Sequence, residues 1–328
     1  MIFEQLDFKE EKVMDNEKIE KLQQMIDESN HIVFFGGAWC STESHISDFR
    51  STDGLYHQTY KYPPEVMVSH TFYTQHTEEF YDFYKNKMIF LDAKPNKAHL
   101  KLAEMEQAGK LSAIVTQNID GLHQAAGSKN VFELHGSVHR NYCQKCGKFF
   151  DVNYVVNAKG VPYCDECGGI IKPDVVLYEE GLDSQTINGA VRAISKADML
   201  IIGGTSLVVY PAAGMIDYFK GKYLVVLNRD ATSRDKQADL CITDPIGEVL
   251  GRIRYKDEEK DIILIAAVLA ISLISLAAIK MTQKDGKEVI VTVDGKEVYK
   301  TSIKKDQIYQ IPEEMARTSC RSKMEKLQ

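Results

Sequence analysis

A histidine, an aspartate and two pairs of cysteines carry most of the chemistry legible in this chain. Thr116-Gln117-Asn118-Ile119-Asp120 follows the apolar run 111–115, and Glu133-Leu134-His135-Gly136-Ser137 comes soon after. Imidazole titrates near neutral pH, so His135 is a candidate general base, with no structural partner implied. Taken alone, a His beside a Gly is usually a turn residue, and Asp120 is a common turn former. The case for His135 rests on the surrounding Glu-Leu-His-Gly-Ser and on Thr-Gln-Asn-Ile-Asp upstream, and that of Asp120 on the run Thr116–His123 around it. The cysteines are more specific. Cys143 and Cys146, then Cys164 and Cys167, form two CxxC pairs at the spacing of a zinc ribbon. Four thiolates complete a tetrahedral zinc site and leave no open position, so such a metal is structural. Gly147 and Gly168-Gly169 follow the knuckles, where tight turns take positive φ. The bland alternative, four free buried cysteines, leaves the paired spacing unexplained.

These loops need a frame to hold them. Residues 17–29 place apolar side chains at 19, 22, 25 and 26, a helical spacing. Residues 31–35 read as a buried strand entering a glycine turn. Lys97–Gln107 reads as a helix with Gly109 as its cap. Residues 111–115, 199–202 and 224–227 are continuous apolar runs, each ending in a polar or Gly-rich turn. Helical segments at 185–195 and 212–219 intervene. Such alternation predicts an α/β fold: a Rossmann-like parallel sheet with helices on both faces. Ligands of these sheets bind beyond the carboxyl ends of the strands. Gly-Gly-Ala-Trp, Thr-Gln-Asn-Ile-Asp, Gly-Gly-Thr-Ser-Leu and Asn228 all fall there. The cysteine stretch 138–170 interrupts the alternation and reads as a small zinc-ribbon module.

In this order the motifs resemble those of the sirtuins of bacterial type, the NAD-dependent protein deacylases. The likeness spans roughly residues 17–254. It implies NAD as a consumed co-substrate, one structural zinc and acetylated lysine of proteins as substrate. His135 would be the catalytic histidine, with Asn118 and Asp120 beside it. Asn118 and Asp120 would hold the nicotinamide ribose and carboxamide, Ile119 would pack against the ring, and Gln117 would touch the ribose. Gly37, Ala38, Thr42, Asp48, Phe49 and Arg50 would form the cofactor loop. Gly204, Thr205 and Ser206 would meet phosphate or ribose. Asn228 would meet the adenosine ribose, and Arg229, Asp230 and Cys241 would complete the cofactor set. The implied reaction has the acetyl-lysine oxygen displace nicotinamide, after which His135 activates a ribose hydroxyl. The products are lysine, nicotinamide and acetyl-ADP-ribose. Residues 175–181 would take the peptide by strand addition. No Tyr-x-x-Arg pair follows residue 50 to mark a succinyl preference, so acetyl is the default acyl group.

The chain departs from the family pattern Gly-Ala-Gly-x-Ser-x-x-Ser-x-Ile-Pro-Asp-Phe-Arg in one loop. Trp39 stands where the second glycine is expected, Ser47 where proline is expected, and Gly36 replaces a usual threonine. A side chain at 39 should meet either the pyrophosphate or a forbidden φ. Weakened NAD binding is the expectation, with the fold kept. Two alternatives stay open: ADP-ribosyl transfer or NAD hydrolysis from the same pocket, and an NAD sensor or scaffold without turnover.

From residue 255 the character changes. A charged linker, 255–261, precedes residues 262–279, an uncharged run near the lower length for crossing a bilayer. The competing reading is a buried core helix, but the run leaves no face for water. It predicts a transmembrane helix tethering a cytoplasmic domain, 1–254, to the membrane. The tail 280–328 carries Asp294-Gly295 between β-rich runs, a hairpin signal, and resembles the start of NusG domain II-like modules. A net charge of −7 offers no footprint for nucleic acid. Seven cysteines, an odd number, argue against a disulfide framework. The charged N-terminus lacks the apolar core of a secretory signal. Oligomeric state is not legible.

Overall fold

The computed structural model describes residues 15–48 and 61–254, and the backbone of three strands within 279–302. Strands of the first part are β1 (Ile32–Gly36), β2 (Leu111–Thr116), β3 (Val131–Glu133), β4 (Gly136–Cys143), β5 (Phe149–Phe150), β6 (Ile171–Val175), β7 (Met199–Gly203), β8 (Tyr223–Leu227) and β9 (Leu240–Ile242). Its helices are α1 (Asn16–Glu28), α2 (Pro64–Met67), α3 (His70–Gln75), α4 (Thr77–Lys87), α5 (Lys97–Gln107), α6 (Leu122–Ala125), α7 (Val152–Asn157), α8 (Ser184–Lys196) and α9 (Ile246–Gly251).

The six-stranded sheet runs β3-β2-β1-β7-β8-β9, and every pairing in it is parallel. Its central strands read as unbroken apolar runs because both faces are covered: β1 and β7 are buried at every position. One face packs α1, α5 and α9 around Leu22, Phe34, Leu102 and Ile201. The other packs α8 and the 3-10 segment Ala212–Tyr218 around Phe35, Val115, Ile194 and Ile202. Helix α1 buries Ile19, Leu22, Met25 and Ile26, the four positions its spacing marks, and Asp15 caps it. The stretch 212–219 is helical as expected but in the tighter 3-10 form. From β1 the chain goes to β2 and β3 on one side, and later to β7, β8 and β9 on the other. That reversal opens a crevice at the carboxyl ends of β1 and β7, the usual ligand position in such sheets.

The cysteine module is larger than residues 138–170. A small antiparallel sheet, β5-β4-β6, shares one core with α2, α3 and α4. Phe80 stacks on Tyr84 and meets Tyr81 edge-on, and the Tyr81 hydroxyl donates to the Ile171 carbonyl. The sequence reading missed this half, since residues 61–89 carry aromatic spacing but no motif. Gly147 and Gly168 take the expected positive φ; Gly169 does not, and is needed because a Cβ there would lie 2.8 Å from Cys143 Sγ.

The chain divides into two compact units, Met1–Tyr255 and Lys256–Gln328. In the second, β10 (Ile279–Lys284), β11 (Glu288–Val293) and β12 (Lys296–Ser302) form an antiparallel sheet, with β11 and β12 flanking Asp294-Gly295. The expected membrane span 262–279 lies outside the described residues except for Ile279. That residue begins β10, so a span would have to end by 278. Among the described residues, no helix is long and apolar enough to cross a membrane.

Candidate active site

A cleft of about 290 Å³ opens where β1, β2 and β7 end. Ala38, Trp39, Asp48, Gln117, Asn118, Ile119, Asp120, His135, Gly204, Thr205 and Ser206 line it together.

His135 stands at the junction of β3 and β4, and Gly136 sets its position. Gly136 has φ 72, and a Cβ there would lie 1.8 Å from the Asp174 carbonyl oxygen. Only glycine lets β4 close on β6 directly after the histidine. His135 Nδ1 lies 3.0 Å from the Gln117 carbonyl oxygen. A carbonyl can only accept, so Nδ1 carries the proton and Nε2 keeps its lone pair. This corrects the expectation that His135 has no structural partner. Burial lowers its pKa, and the bond to Gln117 offsets only part of that. The ring is neutral at pH 7 and basic at Nε2.

Asp120 and Asn118 are tied to one hydroxyl. Ser41 Oγ donates to Asp120 Oδ2 at 2.7 Å and accepts from Asn118 Nδ2 at 2.9 Å. The Leu122 amide donates to Asp120 Oδ1 at 2.9 Å. Both carboxylate oxygens are thus oriented before any ligand arrives. Ser41 matches the family pattern, yet only the fold assigns it this bridge between the β1 loop and the β2 loop. On the far wall, Gln117 Nε2 donates to Thr205 Oγ1 at 3.3 Å, and the Thr205 amide donates to Asn228 Oδ1 at 3.0 Å. Asn228 is buried and its Nδ2 donates to the Asp230 carbonyl, so its side chain fixes the β7 loop. Gly204 has φ 62 and a Cβ there would lie 2.4 Å from the Cys40 nitrogen. The loops after β1 and β7 touch backbone to backbone at that point.

Residue 39 resolves one half of the expected conflict. Trp39 lies in the 3-10 segment Ala38–Cys40 and is not among the positive-φ residues. The backbone penalty is therefore absent. The indole stays in the cleft wall, with Nε1 donating to Asp48 Oδ2 at 2.7 Å and the Arg229 guanidinium 5.6 Å from its centroid. Strain sits elsewhere in the loop: exposed His45 holds φ 62, a left-handed conformation.

Other expected residues fall outside the cleft lining. Gly37 packs beneath it, close to Thr205. Thr42 is exposed and bonds the Trp39 carbonyl. Arg229 and Asp230 are exposed, and half-buried Cys241 sits on β9 with Sγ near the Asp235 carbonyl. Phe49 and Arg50 lie outside the described residues. Strand addition along 175–181 is limited, because the amides of Val176, Leu177 and Tyr178 already donate to His135 O, Glu180 Oε2 and Val68 O. Glu179, at φ 75, is the first residue beyond that commitment.

The four cysteines converge as the spacing predicts. Their sulfurs lie within 4.8 Å of one another, with Cys143–Cys167 at 3.4 Å and Cys146–Cys164 at 3.7 Å. A tetrahedral zinc with bonds of about 2.3 Å sets sulfurs about 3.8 Å apart, so the set fits that ion.

A Rossmann-like crevice holding a Gln-Asn-Asp-His wall, with a four-cysteine ribbon beside it, defines an α/β enzyme scaffold for a dinucleotide. Residues 37–211 match the model of the Sir2 family. A protein of Clostridium acetobutylicum named NAD-dependent protein deacetylase is 64% identical over 237 residues, 71% of this chain and 97% of that protein. A solved Sir2 homologue–NAD complex superposes with TM-score 0.66 at 37% identity, covering 71% of this chain and 91% of that one. A Sir2–p53 peptide–NAD+ complex does so with TM-score 0.64 at 36% identity, covering 76% and 99%. The chain belongs to the Sir2 family.

Proposed function

We propose that the chain is an NAD-dependent protein-lysine deacetylase that consumes NAD and releases nicotinamide and acetyl-ADP-ribose. The observation that carries this is the cleft shared by His135, with its lone pair on Nε2, and the preset pair Asn118 and Asp120. Those two hold the carboxamide and ribose while the acetyl oxygen of lysine displaces nicotinamide at C1′. His135 Nε2 then takes the proton of a ribose hydroxyl as that oxygen attacks the imidate carbon. Water completes the release of free lysine. Gly204, Thr205 and Ser206 bind the phosphates or ribose, and Asn228 acts through Thr205. Zinc, when bound to the four cysteines, closes the ribbon and contributes folding energy.

Trp39 and Ser47 lower NAD affinity by occupying and loosening the cofactor loop. We further place the domain in the cytoplasm, which suits NAD and thiolate ligands, with residues 262–278 as a membrane tether. That tether rests on the uncharged run alone. Mass spectrometry of a reaction with acetyl-lysine peptide tests the activity. Acetyl-ADP-ribose and nicotinamide should appear in step with deacetylated peptide. Free ADP-ribose with the peptide untouched would assign the site to NAD hydrolysis instead.

A further inference from the structure

Beneath the cofactor loop, three residues that the proposed reaction does not use meet in the core. Cys40 closes the 3-10 segment after β1, His99 lies in the first turn of α5, and His123 lies in α6. Their exposures are 0%, 0% and 1%. Cys40 Sγ and a nitrogen of each ring all lie within 4.8 Å of one another, and the ring centroids are 4.7 Å apart.

His123 is the anomaly. Neither of its ring nitrogens has a partner among the described residues. Buried polar groups are ordinarily satisfied, so an imidazole with neither nitrogen partnered among the described residues, within 4.8 Å of a buried thiol, is a candidate ligand.

His99 differs from His123 in a way that selects the geometry. Its Nδ1 accepts from the Asn96 amide at 3.3 Å within the capping box of α5. The neutral ring therefore carries its proton on Nε2, which also has no partner. Nε2–H suits donation to a thiolate better than coordination. That leaves one sulfur and one nitrogen as ligands. A sulfur and a nitrogen within 4.8 Å of each other are close enough for one small ion to bridge them, since even zinc-length bonds of about 2.3 and 2.0 Å reach about 4.3 Å when linear. Thiolate softness favours a d10 ion such as Cu(I). A monovalent ion with one thiolate and a neutral imidazole is uncharged, which a dry core tolerates.

We infer that Cys40 and His123 form a buried Cu(I) site under the cofactor loop, with His99 donating to the Cys40 sulfur. On binding, the Cys40 S–H proton leaves to solvent as the sulfur–copper bond forms. No electron is transferred.

The test uses the full-length, zinc-loaded chain, titrated anaerobically with Cu(I) against a chromophoric Cu(I) chelator. Zinc is followed throughout, and the copper shell is read by X-ray absorption. One copper per chain should bind without zinc release, in a shell of one sulfur and nitrogen. Cys40→Val, which fills the same apolar environment, should lose that copper while keeping zinc and the folded circular dichroism. Copper bound only as zinc leaves, an all-sulfur shell, or full copper retention in Cys40→Val would each overturn the site.

Discussion

His135 has one nitrogen open to the cleft for the proposed base role, because the Gln117 carbonyl occupies the other. His135→Ala should lower deacetylation by about 10²–10⁴-fold, the usual contribution of a positioned base. Zinc content should not change, and near wild-type turnover in this variant would remove His135 from the mechanism. The same geometry sets the pH profile. A base must be unprotonated, and burial holds the His135 pKa below 6.5. Activity is then full at neutral pH and falls as acidification passes the folded pKa, so the midpoint of the acid limb should lie below 6.5. Folding responds with the same sign, since the unfolded chain binds this proton more readily and stability drops as pH falls below 6.5. At residue 39 the indole takes up cleft wall without straining its backbone. Trp39→Gly should tighten NAD binding by about 2 kcal/mol, near 30-fold, a typical relief of overpacking. Calorimetric titration reads it, with peptide affinity unchanged. Trp39 is the chain's one tryptophan, so NAD should also perturb the intrinsic fluorescence of the natural protein. No fluorescence response and no gain on substitution would mean the indole does not meet the cofactor.

Two elements set the limits of the fold around that site. The loop 38–48 is built from two 3-10 turns, Ala38–Cys40 and Thr42–Ser44, ending at His45 in the left-handed region. A non-glycine residue there costs about 1–2 kcal/mol, and glycine returns part of it as unfolded-state entropy. His45→Gly should therefore stabilise the domain by about 0.5–1 kcal/mol in urea denaturation; a destabilised variant would show that the imidazole makes a contact worth more than the strain. The ribbon is the second element. Its sheet has only three strands, and its core is completed by α2–α4 and by the cysteines. Cys143→Ser should lose zinc and unfold at lower temperature, because the site's binding energy is folding energy. Full zinc retention after dialysis would show that Cys143 is not a ligand.

At the scale of the molecule, the parallel sheet is a finished layer with helices on both faces. Full-length protein should remain with membranes after carbonate washing, while the fragment 1–254 should stay in the supernatant. Release of the full-length chain by carbonate would rule out a spanning tether.

What the chain reveals without coordinates is what is periodic or closely spaced. The helices at 16–28 and 97–107, the four central strands of the sheet and the two CxxC knuckles are legible because their side chains are neighbours within a turn, a pleat or a knuckle, while the short edge strands β3 and β9 are not. The Gln-Asn-Ile-Asp and Leu-His-Gly loops are legible for the same reason, as contiguous motifs of a family. Tertiary structure alone decides which distant groups share an atom. Ser41 bridging Asn118 and Asp120, Gln117 holding His135 in one tautomer, and Cys40 meeting His99 and His123 all depend on strand register and loop closure. The aromatic helices α3 and α4 joining the ribbon depend on which surfaces are buried together. The ordinary φ of Trp39 and the strained φ of His45 follow from the path the loop takes between β1 and β7. A sequence records the residue types on each loop, but the distance between two loops is set by the packed sheet that both leave.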